Sequence, residues 1–323
     1  MMLSYIVRRF MQGMFVLVFV SFICFIIFQF LGDPVVTLAG RYATQQQQAE
    51  VRKALGLDKP FYIQYVIFLD HIAHGNFGLS YVTATPVLKM IFERLPASVE
   101  LAMTAMFLAL SLGVTLGVVA SLKPYSILSR GIMAGSLFGI SIPTFLVGIL
   151  LILIFAVFLR VLPPFGRGQV VKIVGTWRTG FLTFDGLKHL ILPAFTLGMY
   201  ELAVLLRLTR GGMLETLRED YVRTAWAKGL PPRVVIFKHA LRNVLIPVVT
   251  MAGLQMGELI AFSIVTETIF QWPGVGNLLL RSIYETDDPV IVAYVMLTAF
   301  IVLSMNILVD ILYAFLNPKI SYD

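Results

Sequence analysis

The chain has 323 residues, 58% of them hydrophobic and 13% charged, with a formal net charge of +7. A soluble domain is about half apolar and about a quarter charged, so this balance, with a mean hydropathy of +0.87, excludes a soluble enzyme and a disordered chain. The positive charge does not argue for nucleic acid, because basic residues on membrane proteins collect in cytoplasmic loops. The single cysteine, Cys24, sits in an apolar run and excludes an intrachain disulfide or a cysteine metal cluster.

A helix needs about 20 mostly apolar residues to cross a bilayer. Six windows qualify: Phe10–Leu31, Ser98–Leu122, Gly131–Leu159, His189–Leu206, Ile246–Phe270 and Pro289–Ala314. None contains Lys or Arg, so all 25 basic residues are expected in loops. The windows read as continuous helices, which satisfy their own backbone in lipid. The first is too long for a signal peptide, and Gly32, Asp33 and Pro34 offer no cleavage site. Arg8 and Arg9 before it favour a cytoplasmic N-terminus, and six spans return the C-terminus to the cytoplasm. The segments then read as inside carry about twice the basic residues of the two shorter outside loops. The chain divides into a first span (1–31), an external loop (32–97) and a core of five spans (98–323).

In loop 32–97, Thr44 caps a helix expected to end near Gly56. Pro60 opens another, with Phe61, Tyr65, Phe68 and Ile72 at helical spacing and Gly75 as its stop. These helices read as a lid on the outer membrane surface or as a docking surface for an external partner. Asp70, His71 and His74 share a turn, but no third strong ligand has matching spacing for a metal.

Segment 207–245 is basic and amphipathic. Leu214, Leu217, Tyr221 and Ala225 recur at helical spacing. Gly229 offers a left-handed helix stop, and Pro231 and Pro232 suit the first turn of a second helix. Such a helix either lies on anionic lipid or inserts into a groove of a cytoplasmic partner. Five acids fall inside the windows, and intramembrane carboxyls face a bundle interior or a water-filled path. Glu258 with Gln255, Glu201, and Asp310 with Asn306 are the candidates for a translocation path. Glu100 and Glu267 are expected near the outer ends, within reach of water or headgroups. The alternative for each acid is helix–helix hydrogen bonding.

Nucleotide chemistry is missing. There is no P-loop, and Gly274-Val275-Gly276 lacks the third glycine of a dinucleotide site. Gly139-Ile140-Ser141-Ile142-Pro143 falls one glycine short of a nucleophile elbow and lies in a predicted membrane helix, with no histidine nearby to act as base.

The string Asp220-Tyr221-Val222-Arg223-Thr224-Ala225-Trp226-Ala227-Lys228-Gly229-Leu230, continuing through His239-Ala240-Leu241-Arg242-Asn243 to Pro247, resembles the cytoplasmic signature loop of ABC importer permeases. More narrowly, the chain resembles the first permease of the dipeptide/oligopeptide/nickel group. The same resemblance is carried by Gly32-Asp33-Pro34, Leu55-Gly56-Leu57-Asp58-Lys59-Pro60, Arg94-Leu95-Pro96-Ala97-Ser98-Val99-Glu100-Leu101, Thr266 through Gly276, Val309-Asp310 and Asn317-Pro318-Lys319-Ile320. Arg223 and Arg242 stand where many permeases carry Glu and Pro, as is common in the peptide-type group. Trp226 stands where that group often has Arg.

The resemblance implies an all-α, six-helix type I importer permease in the bacterial inner membrane. It implies a second homologous permease, two cytoplasmic ATPases and an external substrate-binding protein as partners. This chain would hold no cofactor, with ATP and Mg on the ATPases. It also carries a coupling role onto Asp220, Tyr221, Thr224, Ala225, Lys228 and Gly229, with the helix expected from Glu215 to Lys228 and Tyr221 and Ala225 facing the ATPase. The implied substrates are peptides first, then nickel chelates, glutathione, opines or oligosaccharides. A stand-alone secondary transporter is the rival class. It would use the internal acids as proton carriers, but no repeat relates the two halves.

Overall fold

The computed structural model describes residues 2–31, 35, 44–54 and 57–316. The strings at 32–34, 55–56 and 317–320, and with them the helix end expected near Gly56, lie outside the described residues. The architecture is helical, with five helices long and apolar enough to span a membrane and a bent pair that brings the number to six.

Helix α1 (Met2–Leu31) begins before its window and includes Arg8 and Arg9. Helix α2 (Gln45–Ala54) has the expected Thr44 cap. Gln47 N donates to Thr44 Oγ1, and Thr44 N donates to Gln47 Oε1, so each orphan backbone donor is satisfied by the other residue's side chain. Helix α3 (Phe61–Ala73) starts after Pro60 and stops before Gly75, at φ 71°. Its aromatic face packs in part within the chain. Phe61, Tyr65 and Phe68 all pack on Phe25 of α1, and Tyr65 Oη lies 3.0 Å from Ser21 Oγ. Asp70 and His74 are exposed and bond only to each other's turn, and no metal-capable cluster exists among the described residues.

The centre of the bundle is α4 (Val87–Leu122) against α7 (Phe184–Thr216). At 1.5 Å per residue each is about 50 Å long, well beyond the ~30 Å apolar core of a bilayer. Both therefore protrude, and α7 carries Arg207 and Arg210 inside the helix rather than in a loop. Ala105, Ala109, Gly113 and Gly117 recur every four residues along α4, which lets the backbones approach. A Cβ added at Gly198 of α7 would lie 2.6 Å from the Ala105 carbonyl oxygen, and one at Gly117 would lie 2.8 Å from Leu206 O.

The third window is not one helix. Helix α5 (Ile127–Ser141) and helix α6 (Thr144–Leu151), which widens into a π-helical stretch at Ile152–Phe158, meet at 109°. The cause is Pro143, which lacks an amide N–H and forces the preceding Ile142 into extended geometry (φ −86°, ψ 128°). The Gly139–Pro143 string is thus the elbow of a broken helix rather than part of a continuous span. The fifth window is also divided. A π-helical stretch (Val234–Leu241) runs into α9 (Arg242–Ala261), and a separate short helix, α10 (Ile264–Ile269), follows.

Two further elements lie outside the hydropathy windows. The hairpin of β1 (Val171–Val174) and β2 (Trp177–Thr179) fills the loop between α6 and α7. Helix α11 (Val275–Glu285) buries Val275, Leu278 and Leu279 against Val87 and Ile91 of α4. That contact explains why α4 starts eleven residues before its window. Helix α12 (Asp288–Leu316) packs on α1 and α9 and closes the bundle.

Candidate functional site

The loop joining α7 to α9 carries the first candidate site. Helix α7 ends at Thr216, and a short helix, α8 (Asp220–Ala227), follows after a break at 217–219. A single helix from Glu215 to Lys228 is therefore not what forms. Gly229 has φ 73°, as its position after the helix requires. Leu230 N donates to Ala225 O and Gly229 N donates to Trp226 O, the paired bonds of a glycine-terminated helix, with Leu230 packed beneath.

The break resets the helical phase, and this corrects the expected outward face. Ala225 is only 4% exposed and lies with Val222 against Val235. Asp220, Arg223, Thr224, Trp226 and Lys228 are exposed instead. Tyr221 is exposed, yet its hydroxyl accepts a 2.7 Å bond from the Asn243 amide at the start of α9. The phenol thus ties the α8 loop to a membrane helix. A cleft of ≈ 510 Å³ beside the start of α8 is lined by Leu214, Glu215, Arg218, Glu219 and Asp220.

The mid-bundle acids form the second candidate. Glu201 on α7 is 5% exposed and lies beside the Gln255 side chain and near Glu258, both on α9. Glu258 itself is exposed on the face of α9 turned away from this chain's core. Asp310 does not join this group, whereas Asn306 follows Met305, which a Cβ at Gly257 of α9 would meet at 3.3 Å. The Asp310 carboxylate is 2.9 Å from Arg9 Nε, so it links α12 to the start of α1.

Glu100 and Glu267 are not open to solvent as expected. Glu100 accepts two bonds from the Arg167 guanidinium and one from Gly180 N, which fastens the hairpin loop to α4. Glu267 is 0% exposed. It accepts from Ser98 Oγ, Ser263 Oγ and Asn277 N, while Trp272 Nε1 donates to Ala97 O. Ser80 Oγ and Tyr81 N likewise hold Asp287 at the α11–α12 junction. Burial first, then the charges of Asp288 and Asp287, push the Tyr81 phenol up, so it stays neutral.

Residues 113–322 match the family described as binding-protein-dependent transport system inner membrane component, and residues 2–102 match the N-terminal membrane component of the same systems. The chain belongs to this permease family. It is 43% identical to a di/tripeptide transport system permease protein of Pseudomonas aeruginosa, with both chains fully covered. It is 39% identical to an oligopeptide transport system permease of Bacillus subtilis, over 99% of this chain and 100% of the relative. It is also 39% identical to a glutathione transport system permease of Salmonella choleraesuis, again over 99% and 100%.

As a permease of this family the chain is a multi-pass inner-membrane protein. Two of the strings that carried the resemblance, 94–101 and 266–276, meet in space. They are the two sides of the Ser98–Glu267 and Ala97–Trp272 contacts.

Proposed function

We propose that this permease is one transmembrane half of an ATP-driven importer of di- or oligopeptides. Its partners are a second homologous permease, two cytoplasmic ATPases that hold ATP and Mg, and an external binding protein. Peptide is the substrate because relatives named for peptide transport match the chain from end to end. Both termini are cytoplasmic, the hairpin and α11 are external, and α8 is cytoplasmic. A reporter inserted within Gln45–Glu50 is expected to be external, and a cytoplasmic signal there would overturn this orientation.

The observation that carries the mechanism is the construction of α8. A short helix between two spans is braced from within by Val222, Ala225 and Val235 and presents a polar and aromatic outer face. Such a helix fits a groove in a folded partner. Asp220, Thr224 and Lys228 contact the ATPase, with Trp226 beside them. Tyr221 relays the movement to α9 through Asn243, and Ala225 and Gly229 fix the helix in place. ATP-driven approach of the ATPases then moves α7 and α9, which flank the loop. The exposed Glu258 and its neighbours Gln255 and Glu201 line the path between the two permeases.

Gly229→Val tests this reading. A Cβ at Gly229 meets nothing within 4 Å, so the penalty is purely conformational, about 1–2 kcal/mol. The variant is expected to insert normally but to retain several-fold less ATPase on purification, or to hydrolyse ATP without transport. Thr224→Cys is expected to crosslink to an ATPase. Normal retention and coupling in Gly229→Val with no crosslink from Thr224→Cys would overturn the docking role. If α8 lies on lipid, only neutralising Arg218, Arg223 and Lys228 has an effect.

A further inference from the structure

The acids of the path have a feature that lining alone does not require. Glu201 is almost wholly buried, and its Oε2 has no hydrogen-bond partner. Gln255, 8% exposed, lies against it, and Glu258 follows one helical turn later on the open face of α9. Neither acid takes part in an ion pair among the described residues. The next basic side chains along α7 are Arg207 and Arg210, about 9 and 13 Å further down the helix axis.

The depth of this group is fixed by packing. Gly139 of α5 abuts Met199 and Ala203, which bracket Glu201 in sequence, so the elbow at Ile142–Pro143 lies at nearly the same level. The apolar wall is therefore interrupted at one depth by two carboxyls, an amide and a broken helix. A buried carboxylate with one oxygen left unpartnered is costly, and a second carboxyl nearby raises that cost. A cation arriving from the open face relieves both. An anionic or neutral group at the same place gains nothing comparable.

Building on the path reading above, we infer that Glu258, Gln255 and Glu201 form a mid-membrane site for the ammonium group of the substrate, such as the free amino end of a peptide. Glu258 meets the ammonium directly. Gln255 bridges, its amide donating toward Glu201 and its carbonyl free to accept. Glu201 adds negative potential from behind. The site is a transient stop: it accepts the charge as the substrate leaves the external partner and releases it when the path reopens.

The test uses the complex purified with its partner subunits, with Cys24→Ser removing the native thiol. Leu254→Cys places a reporter one turn from Glu258 on the exposed side of α9. Its reaction with a cationic and an anionic methanethiosulfonate is compared with that of a free thiol. The expected preference for the cationic reagent is on the order of tenfold beyond the free-thiol ratio. Glu258→Gln should abolish most of it and Glu201→Gln part of it. Alanyl-alanine amide should slow the cationic reaction, and acetyl-alanyl-alanine amide should not. A charge-blind ratio in every variant, or equal protection by both peptides, overturns the ammonium site and leaves the path intact. No reaction with either reagent in any nucleotide state overturns the path reading itself.

Discussion

Gly198→Val is expected to eliminate the folded permease from the membrane. Helices α4 and α7 pack side by side through the core of the bundle, and their closest approach has no room for a side chain. A Cβ at Gly198 would sit 2.6 Å from the Ala105 carbonyl oxygen and 3.1 Å from its carbon. These are backbone atoms in the middle of a helix, so they yield only if the whole helix moves. Valine adds two further carbons at that point. Overpacking of a core ordinarily costs about 1–3 kcal/mol, and here no flexible side chain is available to relax it. The neighbouring contacts move with it, because a Cβ at Gly117 would lie 2.7 Å from Thr209 Cβ and one at Gly113 would lie 3.1 Å from Leu202 O. The measurement is the amount of monodisperse chain extracted from membranes in mild detergent. Gly131→Ala is the control, since a Cβ there meets nothing within 4 Å, and it should match the parent. Parent-like recovery of Gly198→Val would show that the two helices are not locked together.

This interface was written in the sequence. Small residues at 105, 109, 113 and 117 are a repeat of four that favours close helix contact. The hydropathy windows found the spans because lipid selects composition directly. They erred where composition is silent. Pro143 breaks the helix yet, as one residue, lowers the hydropathy of a long apolar run too little to divide it, so the windows merge the elbow into one span. Arg207 and Arg210 lower hydropathy without ending a helix, so α7 was cut short. Val275, Leu278, Leu279 and Ser282 follow helical spacing and announce α11. The Gly175-Thr176 pair between Val174 and Trp177 has the form of a two-residue hairpin turn.

The candidate sites divide in the same way. Gly229 and the second helix after Pro231 were legible because local backbone chemistry dictates them. The outward face of α8 was not, because the break at 217–219 separates Leu214 and Leu217 from the phase of Tyr221 and Ala225. Glu201 and Gln255 share no local pattern, since one is on α7 and the other on α9. Glu267 was misplaced for a related reason. Its partner Ser98 is 169 residues away, and no periodicity in one sequence reveals that contact.

Glu267→Ala is expected to loosen the external end of the bundle more than any other single polar change there. The carboxylate gathers three segments. Ser98 belongs to α4, Ser263 precedes α10, and Asn277 begins α11. Ser98 Oγ in turn accepts from Val275 N at 2.9 Å, and Trp272 is anchored to Ala97 O at 2.8 Å beside it. Alanine strands Asn277 N and two hydroxyls in a dry site and leaves a void. Each stranded donor costs about 1–3 kcal/mol, so the total is several kcal/mol. Glu267→Gln fills the same volume but offers one acceptor oxygen instead of two, and should cost about the equivalent of one such bond. Thermal unfolding of the purified chain should therefore rank parent, then Gln, then Ala. Ser98→Ala alone should fall between parent and Glu267→Ala, and the double variant should be little worse than Glu267→Ala, because the two groups serve one network. Additive losses in the double variant would mean that Ser98 and Glu267 stabilise the bundle independently. A parent-like melting curve for Glu267→Ala would remove the carboxylate as the fastening point of α4, α10 and α11.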